Sequence, residues 1–290
     1  LADTDNHSLQ QFPGGNRIAL GREWTGSEGC GGDAVMGERA ASASLDTLRA
    51  HISGARLVLV VAGLGGGTGA GGVRVLARLA REVQVPSVFL VTLPFSFEGS
   101  LRRNQAERDL SALREMTEAV VAMSNDVLFT TLPADTSADE AFQLADSLLA
   151  ESLAGLARIT SSNGMITADF ASLRRLLRHR NTTCTLGVGR GEGEGRWKEA
   201  VDSLMACPLI GGADTISAAH AGIVTLIGDK TLAVGEIQTC LNTLQDQFSK
   251  DADLVVGAYT SDEESMQGQL QLTALLCQYQ DTAPPARGGG

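Results

Sequence analysis

The chain has 290 residues, enough for one large domain or two ordinary ones, and 43% of them are hydrophobic, so a sizeable core can be buried. Aromatics supply only 4%, which leaves Leu, Val, Ile and Ala to build that core. A net charge of -11 excludes the basic footprint that nucleic-acid backbones require, so a phosphate-bearing ligand must be gripped locally, by backbone N–H groups or through a metal ion.

Arg56 to Ala62 is a continuous apolar run and reads as a strand buried on both faces, as in a parallel sheet. A glycine-rich turn follows. Next comes a helix from Gly72 to Glu82 with Val73, Leu76, Leu79 and Ala80 on one face. Ser87 to Leu93 reads as a second buried strand, Arg102 to Thr117 as a helix, and Ala119 to Met123 as a third strand. Alternating strands and helices imply right-handed crossovers and a doubly wound parallel sheet. Ser137 is placed to cap a long helix, with Glu140 closing a capping box and Leu144, Leu148, Leu149, Leu153 and Leu156 forming its core stripe to about Ile159.

Beyond this helix the pattern is less regular. A helix is expected over Asp169 to Arg178, a strand over Cys184 to Val188 and a loop over Gly189 to Gly195. A helix over Trp197 to Ala206, stopped by Pro208, comes next. Ile223 to Ile227, Leu254 to Tyr259 and Leu270 to Cys277 read as strands, and Val234 to Phe248 as a helix. The expected fold is therefore α/β: a doubly wound parallel-sheet domain over 1–136, a connecting helix over 137–163, a smaller α+β domain over 164–280 and a disordered Pro/Gly-rich tail over 281–290. The five cysteines are scattered, odd in number and without a Cys-x-x-Cys pair, which speaks for reduced thiols in a cytoplasmic protein rather than a disulfide framework or a zinc site. No apolar run reaches the ~20 residues that span a bilayer.

The chemistry concentrates in Gly65-Gly66-Gly67-Thr68-Gly69-Ala70-Gly71-Gly72, set between a strand and a helix. Glycines let backbone N–H groups approach an anion, the helix N-terminus adds the positive end of its dipole, and Thr68 can donate a hydroxyl. An empty tight turn and a dinucleotide site compete with a nucleotide-phosphate site. Gly67, Gly69 and Gly72 satisfy G-x-G-x-x-G, but the next strand ends in Val91-Thr92-Leu93-Pro94, without an acid for a ribose. A Walker loop would need a Gly-Lys-Ser/Thr, which is missing here.

The string GGGTGAG resembles the signature of the FtsZ/tubulin family, and the resemblance extends over most of the chain. Thr4-Asp5 followed by Leu9 looks like the family's Asn-Thr-Asp loop, and Gly26 to Gly37, with Gly31 and Gly32, resembles a further glycine-rich nucleotide loop. Pro94-Phe95-Ser96-Phe97-Glu98-Gly99 with Arg102 is similar to the ribose and phosphate segment, and Asn125-Asp126 to a guanine contact. Ala141 to Asp146 resembles the motif whose Phe, here Phe142, stacks on guanine and whose Asp, here Asp146, pairs with it. Gly164 to Phe170 looks like the loop that one subunit inserts against the next subunit's nucleotide, which makes Asp169 the expected catalytic residue. Gly187 to Arg196 and Leu226 to Ile237 resemble segments of the second domain, and the bacterial branch is a nearer match than eukaryotic tubulin.

The resemblance implies a GTPase that binds GTP or GDP, with Mg²⁺ offsetting phosphate charge, and that assembles head to tail with itself, in cell division alongside other division proteins. It implies phosphate contacts at Gly31, Gly32, Gly65, Gly66, Gly67, Thr68 and Gly69, ribose and phosphate contacts at Glu98 and Arg102, and guanine contacts at Asn125, Phe142 and Asp146. No metal-ligating residue is singled out. Thr167 and Ser172 stand where the family carries Asn and a second acid, which points to slow or altered hydrolysis, or to a polymer with little GTPase activity. The family's first strand and its Gly-rich loop are not found ahead of Leu1, so an N-terminally incomplete chain is expected. The hydrophobic-basic terminal peptide of the family is not found in Ala283 to Gly290.

Overall fold

The computed structural model describes residues 1–117, 119–127, 135–160, 164–168, 170–177, 179 and 182–279. The catalytic candidate Asp169 and the expected disordered tail over 281–290 lie outside them.

Two short parallel strands, β1 (Ala2–Asp3) and β2 (Ile18–Ala19), pair with each other and flank helix α1 (Asn6–Gln11). Helices α2 (Arg22–Thr25), α3 (Ala34–Ala43) and α4 (Leu45–Ile52) follow. The main alternation then begins with β3 (Val58–Gly63), α5 (Thr68–Glu82), β4 (Ser87–Leu93), α6 (Ser100–Met116) and β5 (Ala119–Ser124). The second half runs through α7 (Ala138–Arg158), α8 (Phe170–Leu176), β6 (Thr182–Glu192), α9 (Arg196–Met205), α10 (Ala213–Ser217), β7 (Ala221–Gly228), α11 (Val234–Gln245), β8 (Asp253–Thr260) and β9 (Gln269–Tyr279).

Seven strands form one sheet in the order β3-β4-β5-β6-β9-β7-β8. β3 to β6 run parallel, β9 is antiparallel to both β6 and β7, and β7 is parallel to β8. The parallel part is doubly wound. Because side chains alternate along a strand, Phe89 and Val91 face one core with Ala70, Val73 and Ala77 of α5 and Leu110 and Leu113 of α6. Val88 and Leu90 face the opposite core with Leu156 of α7 and Leu173 and Leu176 of α8. A third core joins α9 and α11 to β7 and β9.

Three expectations are corrected. The Arg56 to Ala62 run is not buried on both faces: β3 has β4 on one side only among the described residues, and Val61 is 53% exposed. Leu144 is 43% exposed rather than part of a core stripe; the α7 leucines at the core are Leu149, Leu153 and Leu156. Gly189 and Gly191 do not open a loop; β6 continues to Glu192. These glycines are sites of close approach. A Cβ on Gly189 would lie 2.2 Å from the Ala200 carbonyl oxygen, and one on Gly191 1.9 Å from that of Arg196, so α9 lies directly on the strand backbone.

Candidate phosphate cleft

Gly65 leaves β3 with φ +81, a conformation that disfavours side chains, and a Cβ there would lie 2.7 Å from the Arg102 carbonyl oxygen. The loop is thereby pressed onto the first turns of α6. α5 starts at Thr68, earlier than the Gly72 expected from the sequence, because the second half of the glycine run is itself helical. Its N-cap, Gly67, makes no side-chain capping bond, so the first amides of a 15-residue helix have no internal acceptor.

Not every glycine of the run serves openness. A Cβ on Gly67 would lie 2.5 Å from Cβ of Cys30, one on Gly69 2.1 Å from the Gly63 carbonyl oxygen, and one on Gly71 2.2 Å from the Glu38 amide nitrogen. On the other side of the same contact, a Cβ on Gly37 would lie 2.1 Å from the Gly67 carbonyl oxygen. The run is therefore largely a seam between α3 and α5. Gly66 and Gly72 differ: a Cβ on either would meet no atom within 4 Å, and of the two only Gly66 lines the candidate cleft.

These elements enclose a cleft of about 640 Å³, lined by Gly31, Gly32, Asp33, Ala34, Val35, Gly65, Gly66, Gly67, Leu101, Arg102 and Gln105. Among the expected site residues, Gly31, Gly32, Gly65, Gly66, Gly67 and Arg102 line it together. Asp33 caps α3 by accepting from the amides of Val35 (2.8 Å) and Met36 (3.3 Å). Thr68, the first residue of α5, is not among the lining residues; its hydroxyl is 2.6 Å from that of Thr4. Gly69 faces β3 instead of the cleft, and Glu98 is committed locally: it accepts from the Phe95 amide at 2.8 Å and pairs with Arg102 at 2.7 Å.

The expected base-contact residues gather around an aromatic step. Phe95 stacks on Phe97 with centroids 4.9 Å apart and meets Phe142 edge-on at 5.4 Å. Phe97 is 71% exposed and Phe142 47% exposed, so flat apolar surface faces outward from a buried Phe95. Asp126 accepts from the Ser96 amide at 2.9 Å, and the Asn125 amide donates to the Leu93 carbonyl at 3.2 Å, which ties this turn to the end of β4. Asp146 is exposed one helical turn beyond Phe142. Of the other lining residues, Asp33, Ala34 and Val35 fall inside the expected Gly26 to Gly37 loop without being singled out, and Leu101 and Gln105 were missed. Asp33 had a local signal, an N-cap residue just before an apolar helical repeat.

Among known proteins, the family model described as "Tubulin/FtsZ family, GTPase domain" matches residues 1–133, and that described as "FtsZ family, C-terminal domain" matches residues 182–280. Proteins named "Cell division protein FtsZ" from two Helicobacter pylori strains are each 32% identical over 260 residues, spanning 90% of this chain and 67% of the relative. The solved structure "FtsZ dimer, empty (M. jannaschii)" superposes with a TM-score of 0.85 at 26% identity, covering 99% of this chain and 86% of that one. "CetZ2 from Haloferax volcanii - GTPgS bound protofilament" superposes with a TM-score of 0.70 at 23% identity, over 95% of this chain and 82% of that one, a likeness of fold alone.

Proposed function

The chain belongs to the tubulin/FtsZ family, and from that premise we propose that it binds GTP in the glycine-walled cleft and polymerises head to tail with itself, hydrolysing GTP at the subunit contact, as a cytoplasmic cell-division filament protein. The observation that carries this reading is the cleft itself: uncapped amides at the α5 N-terminus, the open face of Gly66, and Arg102 opposite them.

Phosphates take the amides of Gly65 to Thr68 with Gly31, Gly32 and the Thr68 hydroxyl, while Arg102 adds positive charge. Glu98 and Arg102 flank the ribose. Phe142 and Asp146, with Asn125, read guanine, one offering a flat apolar surface and the other a bidentate acceptor. The donor set also suits Mg²⁺, a hard cation that takes carboxylate and phosphate oxygens: Asp33 in the cleft would hold it, and bound there it would offset the charge of the phosphates. Asp169 of the adjoining subunit orients the attacking water, so turnover requires the polymer.

Two unlike surfaces support a head-to-tail contact. Exposed Val35 and Leu101 rim the cleft. Exposed Met165 and Ile166 belong to a loop that bridges to Ala258 of β8, at the opposite edge of the sheet from β3. A contact between different patches does not close on itself and propagates.

A second reading, a nucleotide-dependent polymer with little or no hydrolysis, is favoured by Ser172, which cannot act as a carboxylate. Phosphate release and light scattering, followed against protein concentration, separate the two. Turnover that rises cooperatively above a threshold supports the assembly-coupled GTPase, and Ser172→Asp then raises it. Filaments without phosphate release support the second reading, and a protein that neither binds GTP nor assembles sinks both.

A further inference from the structure

Behind the cleft, Arg74 of α5 donates to Oδ1 of Asp109 of α6 at 2.6 Å, and the Asp109 side chain is 0% exposed. The same oxygen accepts from Nε2 of Gln105 at 3.0 Å, and Gln105 lines the cleft beside Arg102. On its other side Arg74 lies 3.6 Å from Glu38 of α3, which also takes Arg78 at 2.6 Å. The relay thus joins α3, α5 and α6. These helices bring Asp33 to Val35, Gly67 at the start of α5, and Leu101 with Arg102 to the walls of the cleft.

As a mere strut this network is poorly built. Among the described residues, Oδ2 of Asp109 and Nε of Arg74 are buried without a hydrogen-bond partner. Buried ion pairs left partly unsatisfied stabilise less than apolar side chains of the same volume, so stability alone gives no reason for this pair. Its placement gives one. The glycine seam leaves α3 and α5 no side-chain thickness to set their spacing near the cleft, and Gly65 rests on the backbone of α6. A directional ionic tie one to two turns further back fixes what the glycines do not.

We propose that Arg74 and Asp109 are positioning residues for the cleft: through Gln105 and Glu38 they set the spacing of α3, α5 and α6, and so the fit of the Gly65 to Thr68 amides and Arg102 to a nucleoside triphosphate's phosphates. This rests on the reading of the cleft as a phosphate site. The effect falls on phosphates and not on the base, because the aromatic step around Phe95 is held by a separate turn.

The test is equilibrium binding of GTP and of guanosine, by competition against a fluorescent guanine nucleotide, to wild type and to the double variant Arg74→Met with Asp109→Leu. The double variant is expected to melt within a few degrees of wild type, to bind GTP about tenfold more weakly and to bind guanosine unchanged. Unchanged GTP affinity in the folded double variant overturns the proposal, and so does an equal loss for GTP and guanosine, which marks general loosening. Should the double variant not fold, Asp109→Asn, of the same shape and still able to accept from Gln105, decides by the same ratio. A wild-type protein that ignores GTP fails in a different way, since it removes the cleft reading itself.

Discussion

Two arginines, one in each half of the molecule, are used in opposite ways: Arg196 is buried and Arg74 partly buried. Arg196, at the start of α9, spends its guanidinium fully. Nε donates to Glu236 at 2.8 Å, and Nη1 donates to Asp229 at 3.1 Å and to the Gln269 carbonyl at 3.4 Å. Nη2 donates to Thr231 at 3.3 Å and to Glu236 at 3.0 Å. Asp229 is equally saturated, accepting also from the Thr231 hydroxyl at 2.6 Å and from the Gly268 amide at 2.8 Å. This clamp ties α9, α11 and the turns before α11 and β9 into one rigid end. Arg74 and Asp109, by contrast, leave buried atoms unbonded beside the glycine cleft. The difference teaches that the Arg196 clamp is built for stability, whereas the Arg74–Asp109 tie stays under-committed beside the glycine-walled cleft proposed to seat a phosphate.

The comparison can be broken most directly at Arg196. Arg196→Ala strands two carboxylates and is expected to cost about 3–5 kcal/mol, against about 1–2 kcal/mol for Arg74→Ala, whose side chain is a quarter exposed, both read by urea unfolding. Equal losses would erase the distinction. Next in size, Gly191→Ala forces a methyl against the Arg196 carbonyl oxygen and should cost about 1–3 kcal/mol by lifting α9 off β6, the helix that carries the clamp.

Acid titration sharpens the same contrast. The Thr231 hydroxyl, then the Gly268 amide and Arg196, hold the Asp229 carboxyl well below the usual carboxylate range. A carboxyl depressed in the folded state adds stability above its unfolded pKa of about 3.9, and that stability is lost as pH falls below this value. Thermal melts of wild type should therefore drop steeply from about pH 4 downward. Asp229→Asn should start lower at neutral pH and show a flatter acid limb. The smallest effect is expected at Ser137, whose hydroxyl accepts from the Glu140 amide at 3.3 Å while Glu140 accepts from the Ser137 amide at 3.1 Å; Ser137→Ala should cost about 1 kcal/mol.

Local signals in the sequence carried far. Ser87 to Leu93 is a strand with the bounds read from its apolar run, and the capping box of Ser137 and Glu140 is present. The glycine run lies at a strand-to-helix turn, as its position between two periodic segments implied. What escaped was long-range. No local pattern distinguishes a strand glycine that admits a helix, such as Gly189, from a loop glycine, nor pairs Arg74 with Asp109 across two helices. The exposure of Val61 and Leu144 likewise depends on what lies beside them in space, which periodicity does not record.

The most direct test of the central claim is a titration of Mg²⁺-GTP into wild type and Gly66→Val. A Cβ at Gly66 would meet no protein atom within 4 Å, so the variant should melt as wild type does while its methyls extend into the space proposed for phosphate. Saturable binding to wild type, lost in a fully folded Gly66→Val, is the predicted result. Equal affinity in both, or no binding by either, would contradict it.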